Sequence, residues 1–367
     1  MTTVVGLSHH TLSTLVEWEA PLLVSAFVPS DFSRPQPTEP IKKALRRLAQ
    51  ITSAKLTVDH GLGHGSAAAF VAPLLDESIL DDVPVASRGL AVFLSADTSM
   101  KLALPVAVGP AVEIGDGPDL LRLLPAVVGD LDFFSLTIGK KDPRLFRGRR
   151  FEFEPVDVPD MPRSIDDALW YIRREPVRNR DGAGVLHGSG GGEDLRKDDV
   201  HQYLHLIDKA ITPILGGGES PLVIIGVEYE AAMFINSTHY RHTFGIPVLG
   251  SPEGMPVDEL HERSWELVKS HDTSAAEAVS RLHQLAGTGQ TAVDPDDLIA
   301  AGESGSVRDL LVARSVVDDT GAPPISAADR RTVVAVVNDC LRHRATIHIV
   351  DDADVPGDLR IAAVLRY

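Results

Sequence analysis

The glycine-rich stretch HGSGGG, residues 187–192, is the part of the sequence best suited to close contact with a ligand. Glycine costs chain entropy, but it lets a backbone amide approach a partner where a Cβ atom would clash. Successive amides of this kind can hold anions. An amphipathic helix is predicted to follow at once, so a rigid element presents the loop. The candidate ligand-facing residues are His187, Gly188, Ser189, Gly190, Gly191 and Gly192.

Basic residues precede this loop in two clusters. The segment 140–150 has six basic residues against one acid, and the segment 173–180 has four against one. Such clusters could position the protein on phosphate without reading a base sequence. On charge alone, a solvated face or a strand hairpin explains them equally well. The candidate phosphate contacts are Lys140, Lys141, Arg144, Arg147, Arg149, Arg150, Arg173, Arg174, Arg178 and Arg180.

Other residues have the spacing of metal ligands but lack further partners in the sequence. His201 and His205 lie four apart on the predicted helix, with Asp198 three residues earlier, so one face could carry all three. An exposed helix flank explains them better. Glu152 and Glu154 would share one face of a strand, as a metal-dependent nuclease needs, but a polar hairpin face is the simpler interpretation. No nucleotide-binding, zinc-protease or hydrolase motif is present, so we predict no metal site and no cofactor.

Charge and composition exclude several classes of protein. The net charge of −17 over 367 residues argues against DNA binding and indiscriminate nucleic-acid binding, because phosphate affinity comes from Lys and Arg. Residues 131–200 are near neutral at −1, whereas residues 201–367 carry −11, which suits protein contacts better. No apolar run reaches the roughly 20 residues of a membrane span, and the N-terminus does not resemble a signal peptide. With one cysteine, an internal disulfide framework is excluded, and we expect a cytoplasmic protein without a membrane partner.

Hydrophobic periodicity predicts an α/β protein of three domains. The predicted domains are 1–130, an N-terminal α/β domain; 131–270, which carries the glycine-rich loop; and 271–367, a C-terminal α/β domain. In the first domain, buried strands at 21–28 and 89–95 enclose a helix. In the last domain, the order helix, strand, helix, strand, strand predicts a compact α/β sandwich.

The middle domain is predicted to place the loop between strands and a strongly patterned helix. Two or three strands with turns at Gly139 and Gly148 come before the loop. One long helix, 257–285, is predicted to lead out of the domain. The helix after the loop has an apolar stripe that should face the core, formed by Val200, Leu204, Ile207, Ile211 and Ile214.

The order of segments around the loop resembles the archaeo-eukaryotic class-1 peptide release factors, Pelota and their bacterial relatives, a group that includes hibernation factors of the Balon type. The central domain of a release factor carries a His-Gly-x-Gly-Gly-Gln loop followed by an amphipathic helix, and residues 187–192 match all but its last position. LFRGRRFEFEPVDVPDMP before the loop, and PLVIIGVEYEAAMF and PVDELHERSWELV after it, resemble the flanking strands and helix. The resemblance covers residues 133–367 and extends weakly into the first domain. It implies a divergent N-terminal domain, a central RNase H-like domain and an α/β third domain.

The resemblance also implies a site of action and a set of partners. The factor would occupy the ribosomal aminoacyl site, with the loop close to rRNA or the tRNA acceptor arm, and could work with a translational GTPase. In release factors the loop glutamine helps to place the hydrolytic water, whereas the aligned residue here is Gly192, which has no side-chain amide. We therefore assign no catalytic residue and expect a factor in hibernation or ribosome rescue, without peptide release. The alternatives are peptidyl-tRNA hydrolysis despite the missing glutamine and, further off, a metal-dependent nuclease.

Overall fold

The chain combines helices with three sheets, as the computed structural model shows for residues 4–6, 9–29, 39–81, 83–84, 87–174, 192–318 and 325–367. The predicted α/β class is thereby confirmed. Two compact units divide the chain, one formed by Met1–Gly129 with Thr273–Tyr367 and the other by Asp130–Asp272. The finer division into three domains stays a prediction. Over the ranges given above, no helix is long and apolar enough to cross a membrane.

The N-terminal segment of the first unit forms a five-stranded sheet with both faces covered. Its elements are β1 (Val4–Gly6), α1 (His9–Val16), β2 (Leu23–Pro29), α2 (Glu39–Val58), α3 (His64–Val71), β3 (Gly89–Leu94), β4 (Ser99–Leu104), β5 (Ala111–Gly115) and α4 (Leu124–Val127). The strand order is β1-β4-β3-β2-β5, with β1 parallel to β4 and the other neighbours antiparallel. Because alternate residues of β2 point to opposite faces, Val24 and Val28 pack with α2 while Leu23 and Phe27 pack with α1.

The second unit is built on a mixed five-stranded sheet. Its elements are β6 (Phe133–Ile138), β7 (Arg144–Gly148), β8 (Phe153–Val156), α5 (Ile165–Arg174), α6 (Gly192–Leu215), β9 (Leu222–Gly226), α7 (Glu228–Ser237), β10 (Val248–Leu249) and α8 (Val257–Ser270). The strand order is β10-β9-β6-β7-β8, in which β6, β7 and β8 are antiparallel neighbours and β9 and β10 run parallel to β6. This order and these directions are those of an RNase H-like sheet, as the resemblance implies.

Helices α6 and α8 cover the two faces of this sheet. Leu204, Ile207 and Ile211 of α6 are fully buried and pack against even-numbered residues of β6 and β9. Leu260 and Val268 of α8 pack against odd-numbered residues of the same strands. The alternation of a strand therefore gives each helix its own half of the core. The apolar stripe predicted for the helix after the loop is confirmed.

The C-terminal segment of the first unit forms a four-stranded sheet packed with helices. Its elements are α9 (Ser274–Leu285), β11 (Thr291–Ala292), α10 (Pro295–Glu303), β12 (Val307–Ala313), α11 (Arg314–Asp318), α12 (Ala327–Arg342), β13 (Thr346–Val350) and β14 (Ile361–Leu365). The strand order is β11-β14-β12-β13, with β12 parallel to β13 and the other pairs antiparallel. The predicted order of helix, strand, helix, strand, strand is found from α10 to β14, with the short helix α11 added before α12.

Buried polar contacts join the two segments of the first unit. Asp119 is only 2% exposed, and its carboxylate accepts a hydrogen bond of 3.2 Å from Arg330. Arg122 adds a second guanidinium, with Nε 3.6 Å from the same carboxylate. Asn338 Nδ2 donates to the carbonyl oxygen of Pro118 at 2.8 Å. A buried charge needs such partners, since an unpaired ion away from water is strongly unfavourable.

Two predicted elements differ from the structure. The long helix predicted over 257–285 is two helices, because α8 ends at Ser270 and α9 begins at Ser274. Thr273 Oγ1 donates a hydrogen bond of 2.7 Å to Glu277 Oε1 in the first turn of α9, and threonine favours such helix starts over helix interiors. The turn predicted at Gly148 lies later in the chain. Gly148 is the last residue of β7, and the turn follows it.

Candidate nucleic-acid interface

The glycine-rich loop reaches the described structure only at its last residue. His187, Gly188, Ser189, Gly190 and Gly191 lie outside the described residues, as do Arg178 and Arg180. Gly192 is the first residue of α6, and Arg173 and Arg174 are the last two residues of α5. The predicted helix therefore follows the loop directly. The ligand-facing role of these residues stays a prediction.

Helix α6 is fixed to the sheet at its middle. Tyr203 is buried, and its hydroxyl donates a hydrogen bond of 2.9 Å to the carbonyl oxygen of Gly139, just after β6. Burial, reinforced by the nearby carboxylates of Asp142 and Glu253, raises the pKa of Tyr203 far above its usual value, so the hydroxyl stays a donor. The middle of α6 thus has a defined position relative to the strands.

A second anchor joins α6 to the segment after α7. Asp208 is buried and accepts hydrogen bonds of 2.6 Å from Thr238 Oγ1 and 2.8 Å from His239 Nδ1. The His239 side chain is otherwise exposed to solvent. Asp208 was not singled out from sequence, because an acid in a helix reads as a solvated residue. Only its position among the buried residues of the apolar stripe signals a different role.

The first basic cluster is more exposed at its lysine end, which comprises Lys140 and Lys141 just before β7 and Arg144 at its start. Lys140 and Lys141 are exposed and, over the part of the chain described, make no side-chain ion pair. Arg144 lies partly buried, with Nε 3.6 Å from Asp142 Oδ2 and its guanidinium 5.4 Å from the centre of the Phe146 ring. A cavity of about 460 Å³ opens beside these residues. Its lining consists of Lys141, Asp142, Arg144, Pro252, Glu253, Gly254 and Met255.

The arginine end of β7 comprises Arg147, Arg149 and Arg150, and it contains ion pairs within the unit. Arg149 binds Asp132 through two hydrogen bonds, of 2.8 and 2.9 Å, and Arg147 reaches the same carboxylate at 3.3 Å. The Arg149 hydrogen bond holds the pKa of Asp132 below its usual value and raises the pKa of Arg149. The backbone N–H of Arg150 donates to Asp130 Oδ1 at 3.0 Å, and burial lowers the pKa of the Arg150 guanidinium.

The six basic residues of 140–150 therefore do not form one uniform surface. They divide between the two ends of β7, and Asp132 already engages Arg147 and Arg149 at the arginine end. A phosphate would have to compete with Asp132 for Arg147 and Arg149, whereas Lys140 and Lys141 face solvent. Phosphate contact by any of the six stays a prediction, and the geometry favours the lysine end.

The candidate metal and nuclease residues do not converge. Within the described ranges, no group of three or more His, Cys, Asp or Glu side chains is arranged to hold a metal ion. His201 and His205 are exposed on α6. The expectation that Glu152 and Glu154 share a strand face was wrong, because β8 begins at Phe153 and Glu152 lies in the preceding turn.

Among the residues described, a groove lies between α6 and α7. Its volume is about 740 Å³. Neither lysine nor arginine lines it, so it offers no cation to a phosphate. The lining consists of His201, Glu228, Tyr229, Ala232, Met233, Asn236 and Ser237. We assign it no role in RNA contact.

The RNase H-like sheet order and the position of α6 directly after the glycine-rich stretch agree with the resemblance to release factors. The family model of bacterial archaeo-eukaryotic release factor family 3 matches residues 132–305, a segment that includes β6, the loop and α6. The resemblance is therefore confirmed over this segment, which is similar to the release factors of this bacterial group. Among curated protein sequences, none matches the chain.

Solved structures of translation factors are similar at low identity. The archaeal termination factor aRF1 is 14% identical, with 99% of both chains covered and a TM-score of 0.25. Pelota of Archaeoglobus fulgidus is 16% identical over 76% of this chain and 79% of that chain, with a TM-score of 0.31. A model of ribosome-bound archaeal Pelota and ABCE1 is 11% identical over 100% of this chain and 95% of that one, with a TM-score of 0.37. Scores this low carry no argument about how the units of the chain are arranged.

Proposed function

We propose that this protein is a translation factor that binds the ribosomal aminoacyl site in hibernation or ribosome rescue and does not release the nascent peptide. The family match supports the release-factor-like class, and one residue carries the absence of release. Gly192 stands where release factors have the glutamine that helps to place the hydrolytic water. Glycine has no side-chain amide, and the neighbouring Glu193 would be repelled by RNA phosphate.

The anchoring of α6 supports a binding role for the loop. A rigid base lowers the entropy lost when a loop is ordered against its partner. The Tyr203 and Asp208 hydrogen bonds hold α6 to the end of β6 and to the segment after α7. Glycines in the loop would then let backbone amides approach rRNA or the tRNA acceptor arm more closely than a side chain would allow.

Two further contacts complete the proposal. Lys140 and Lys141 would contact RNA phosphate, because they are exposed and make no ion pair in the described structure. The acidic C-terminal segment would contact a protein, and a translational GTPase is the class that the resemblance implies. Aspartates in and just before the first turn of α10, at 294, 296 and 297, supply part of that negative charge. Such a factor would act in the cytoplasm.

Co-sedimentation tests the proposal directly. Purified protein is mixed with vacant and with peptidyl-tRNA-loaded 70S ribosomes across a salt series. We expect binding that weakens with salt, because phosphate contacts release counterions, and that an aminoacyl-site ligand displaces. Peptide release should stay at the level of ribosomes alone. Absence of binding to either form would overturn the proposal, and release of peptide in the same tubes would make the protein a rescue enzyme instead.

A gain-of-function variant tests the role of Gly192. Gly192→Gln restores the side-chain amide of the release-factor motif, and we expect peptide release to rise above the wild-type level. Ser189→Gln is the matched control, since it adds the same amide at a loop position where the motif has none. Release by both variants, or by neither, would show that the missing glutamine at position 192 does not explain the lack of activity.

A further inference from the structure

The turn between β7 and β8 is held in place from three sides. The backbone N–H of Arg149 donates to the carbonyl oxygen of Glu152 at 2.8 Å, which closes the turn. Asp130 accepts the backbone N–H of Arg150 at 3.0 Å, and Asp132 binds the Arg149 guanidinium through two hydrogen bonds. The contacts from Asp130 and Asp132 come from outside the hairpin, so the turn has a fixed backbone.

Stacked aromatic rings lie at the base of the turn. Phe146 and Phe153 stack at 4.6 Å with an angle of 9° between their planes, and His261 of α8 stacks on Phe153 at 5.0 Å and 15°. His261 Nε2 donates a hydrogen bond of 2.6 Å to the carbonyl oxygen of Arg149. The core therefore extends through the hairpin to the base of its turn.

Phe151 occupies the turn but does not join this stack. Its side chain is 40% exposed, and the Arg150 guanidinium lies 4.8 Å from the centre of its ring. Its neighbours do not make the turn a good phosphate site, because Asp132 engages Arg147 and Arg149 and Glu152 adds a negative charge. What the turn offers a partner is a rigid aromatic ring with a cation against it.

We propose that Phe151 stacks on an unpaired nucleobase of ribosomal RNA. This inference rests on the proposed function, since it assigns a further RNA contact to the same unit. Proteins that bind unpaired nucleotides stack bases on exposed aromatic rings, and every base has a face that can take part. Stacking does not require a free cation, which fits a turn whose Arg149 is already paired with Asp132. A rigid ring also loses little side-chain freedom on binding.

Substitutions at Phe151 test the stacking on vacant 70S ribosomes in the co-sedimentation assay. Phe151→Ala and Phe151→Leu should weaken binding by about 5- to 100-fold, the range for one base–aromatic stack. Phe151→Trp should bind within about twofold of wild type, because it keeps an aromatic face. Tyr229→Ala is the matched control, since it removes an exposed ring of the same unit from a groove without cations, and its binding should not change.

A photoreactive phenylalanine analogue at position 151 identifies the partner. On the ribosome it should form a crosslink to rRNA. A crosslink to ribosomal protein alone would overturn the proposal, as would wild-type affinity of Phe151→Ala or full affinity of Phe151→Leu. If wild-type protein binds ribosomes but position 151 is insensitive, the stacking fails and the proposed function stands. If wild-type protein does not bind, both fail.

Discussion

The two ends of β7 carry similar numbers of basic residues, but these residues differ in exposure and in ion pairing. At the lysine end, Lys140 and Lys141 project into solvent beside a cavity. At the arginine end, Arg147 and Arg149 form ion pairs with Asp132 inside the unit. The difference shows that a cluster of cations in a sequence is a set of possible partners. Nearby acids decide which of them remain available.

The choice of side chain fits the structural contacts at one end and the proposed phosphate contacts at the other. Arginine forms a planar fork that binds a carboxylate through two hydrogen bonds, so Arg149 and Asp132 can fix the geometry of a turn. Lysine is a mobile point charge that can follow a phosphate without a fixed geometry. One strand therefore has a structural end and an end suited to binding.

The largest effect should follow a change in packing at the arginine end. A Cβ atom at Gly148 would lie 2.3 Å from the ring of Phe133, which is fully buried beside Trp265. The ring cannot move without disturbing its neighbours, so Gly148→Ala should lower the free energy of unfolding by about 1–3 kcal/mol. Urea unfolding followed by tryptophan fluorescence measures this loss.

Gly245→Ala is the control for this substitution. Gly245 belongs to the same unit, and a Cβ atom there would meet no atom within 4 Å. Its free energy of unfolding should change by less than about 0.5 kcal/mol. Equal stability of the two variants would mean that the arginine end is not packed as tightly as the Phe133 contact indicates, and the structural role of this end would be lost.

The second effect should appear in binding at the lysine end. Replacing Lys140 and Lys141 together by glutamate removes two phosphate contacts and should weaken ribosome binding by roughly tenfold at moderate salt. The slope of log K against log salt should fall by about two units, one for each contact. Co-sedimentation across the salt series gives both quantities.

A control with the same change in net charge separates contact from general repulsion. Lys209 on α6 and Lys269 on α8 are exposed in the same unit, so Lys209→Glu with Lys269→Glu alters the charge equally. This pair should leave the salt slope unchanged. If both double variants lose the same affinity, the lysine end of β7 has no special role and the comparison between its ends fails.

Much of the fold could be predicted because strong periodic patterns follow burial. Helix α6 shows its apolar stripe directly, and β2 and β3 are continuous apolar runs. The sequence did not indicate β1, β4 or β5, which are short or carry polar residues, as Lys101 shows in β4. These strands are defined by pairing with distant segments, and a local pattern contains no such information.

The site could be predicted less completely, for a similar reason. The basic residues of 140–150 were visible, but their partners Asp130 and Asp132 lie ten or more residues earlier and come close only when β6 pairs with β7. The exposure of Phe151 could not be predicted from the sequence, because it depends on a turn that His261 of α8 holds in place. Ion pairing and exposure are properties of the folded chain.

The smallest effect concerns the acid that neutralises the arginine end. The Arg149 hydrogen bond lowers the pKa of Asp132 in the folded protein, so folding favours the ionised carboxylate. The resulting stability is present above the unfolded pKa of about 3.9 and is lost as the pH falls through the lower folded value. Asp132→Asn should remove it, and because 35% of this side chain is exposed, we expect a loss below about 1 kcal/mol at pH 7.

Urea unfolding at pH 7 and pH 3 measures this loss for wild type and Asp132→Asn. The two proteins should differ at pH 7, and the difference should shrink towards pH 3, because the carboxylate of the unfolded chain is then protonated and the charge no longer favours folding as strongly. Asp157→Asn, an exposed acid of the same unit, should follow wild type at both pH values. A constant difference between wild type and Asp132→Asn would show that the side chain contributes by shape and not by charge. In that case the arginines would not be neutralised by Asp132, and the two ends of β7 would offer equivalent cations to RNA.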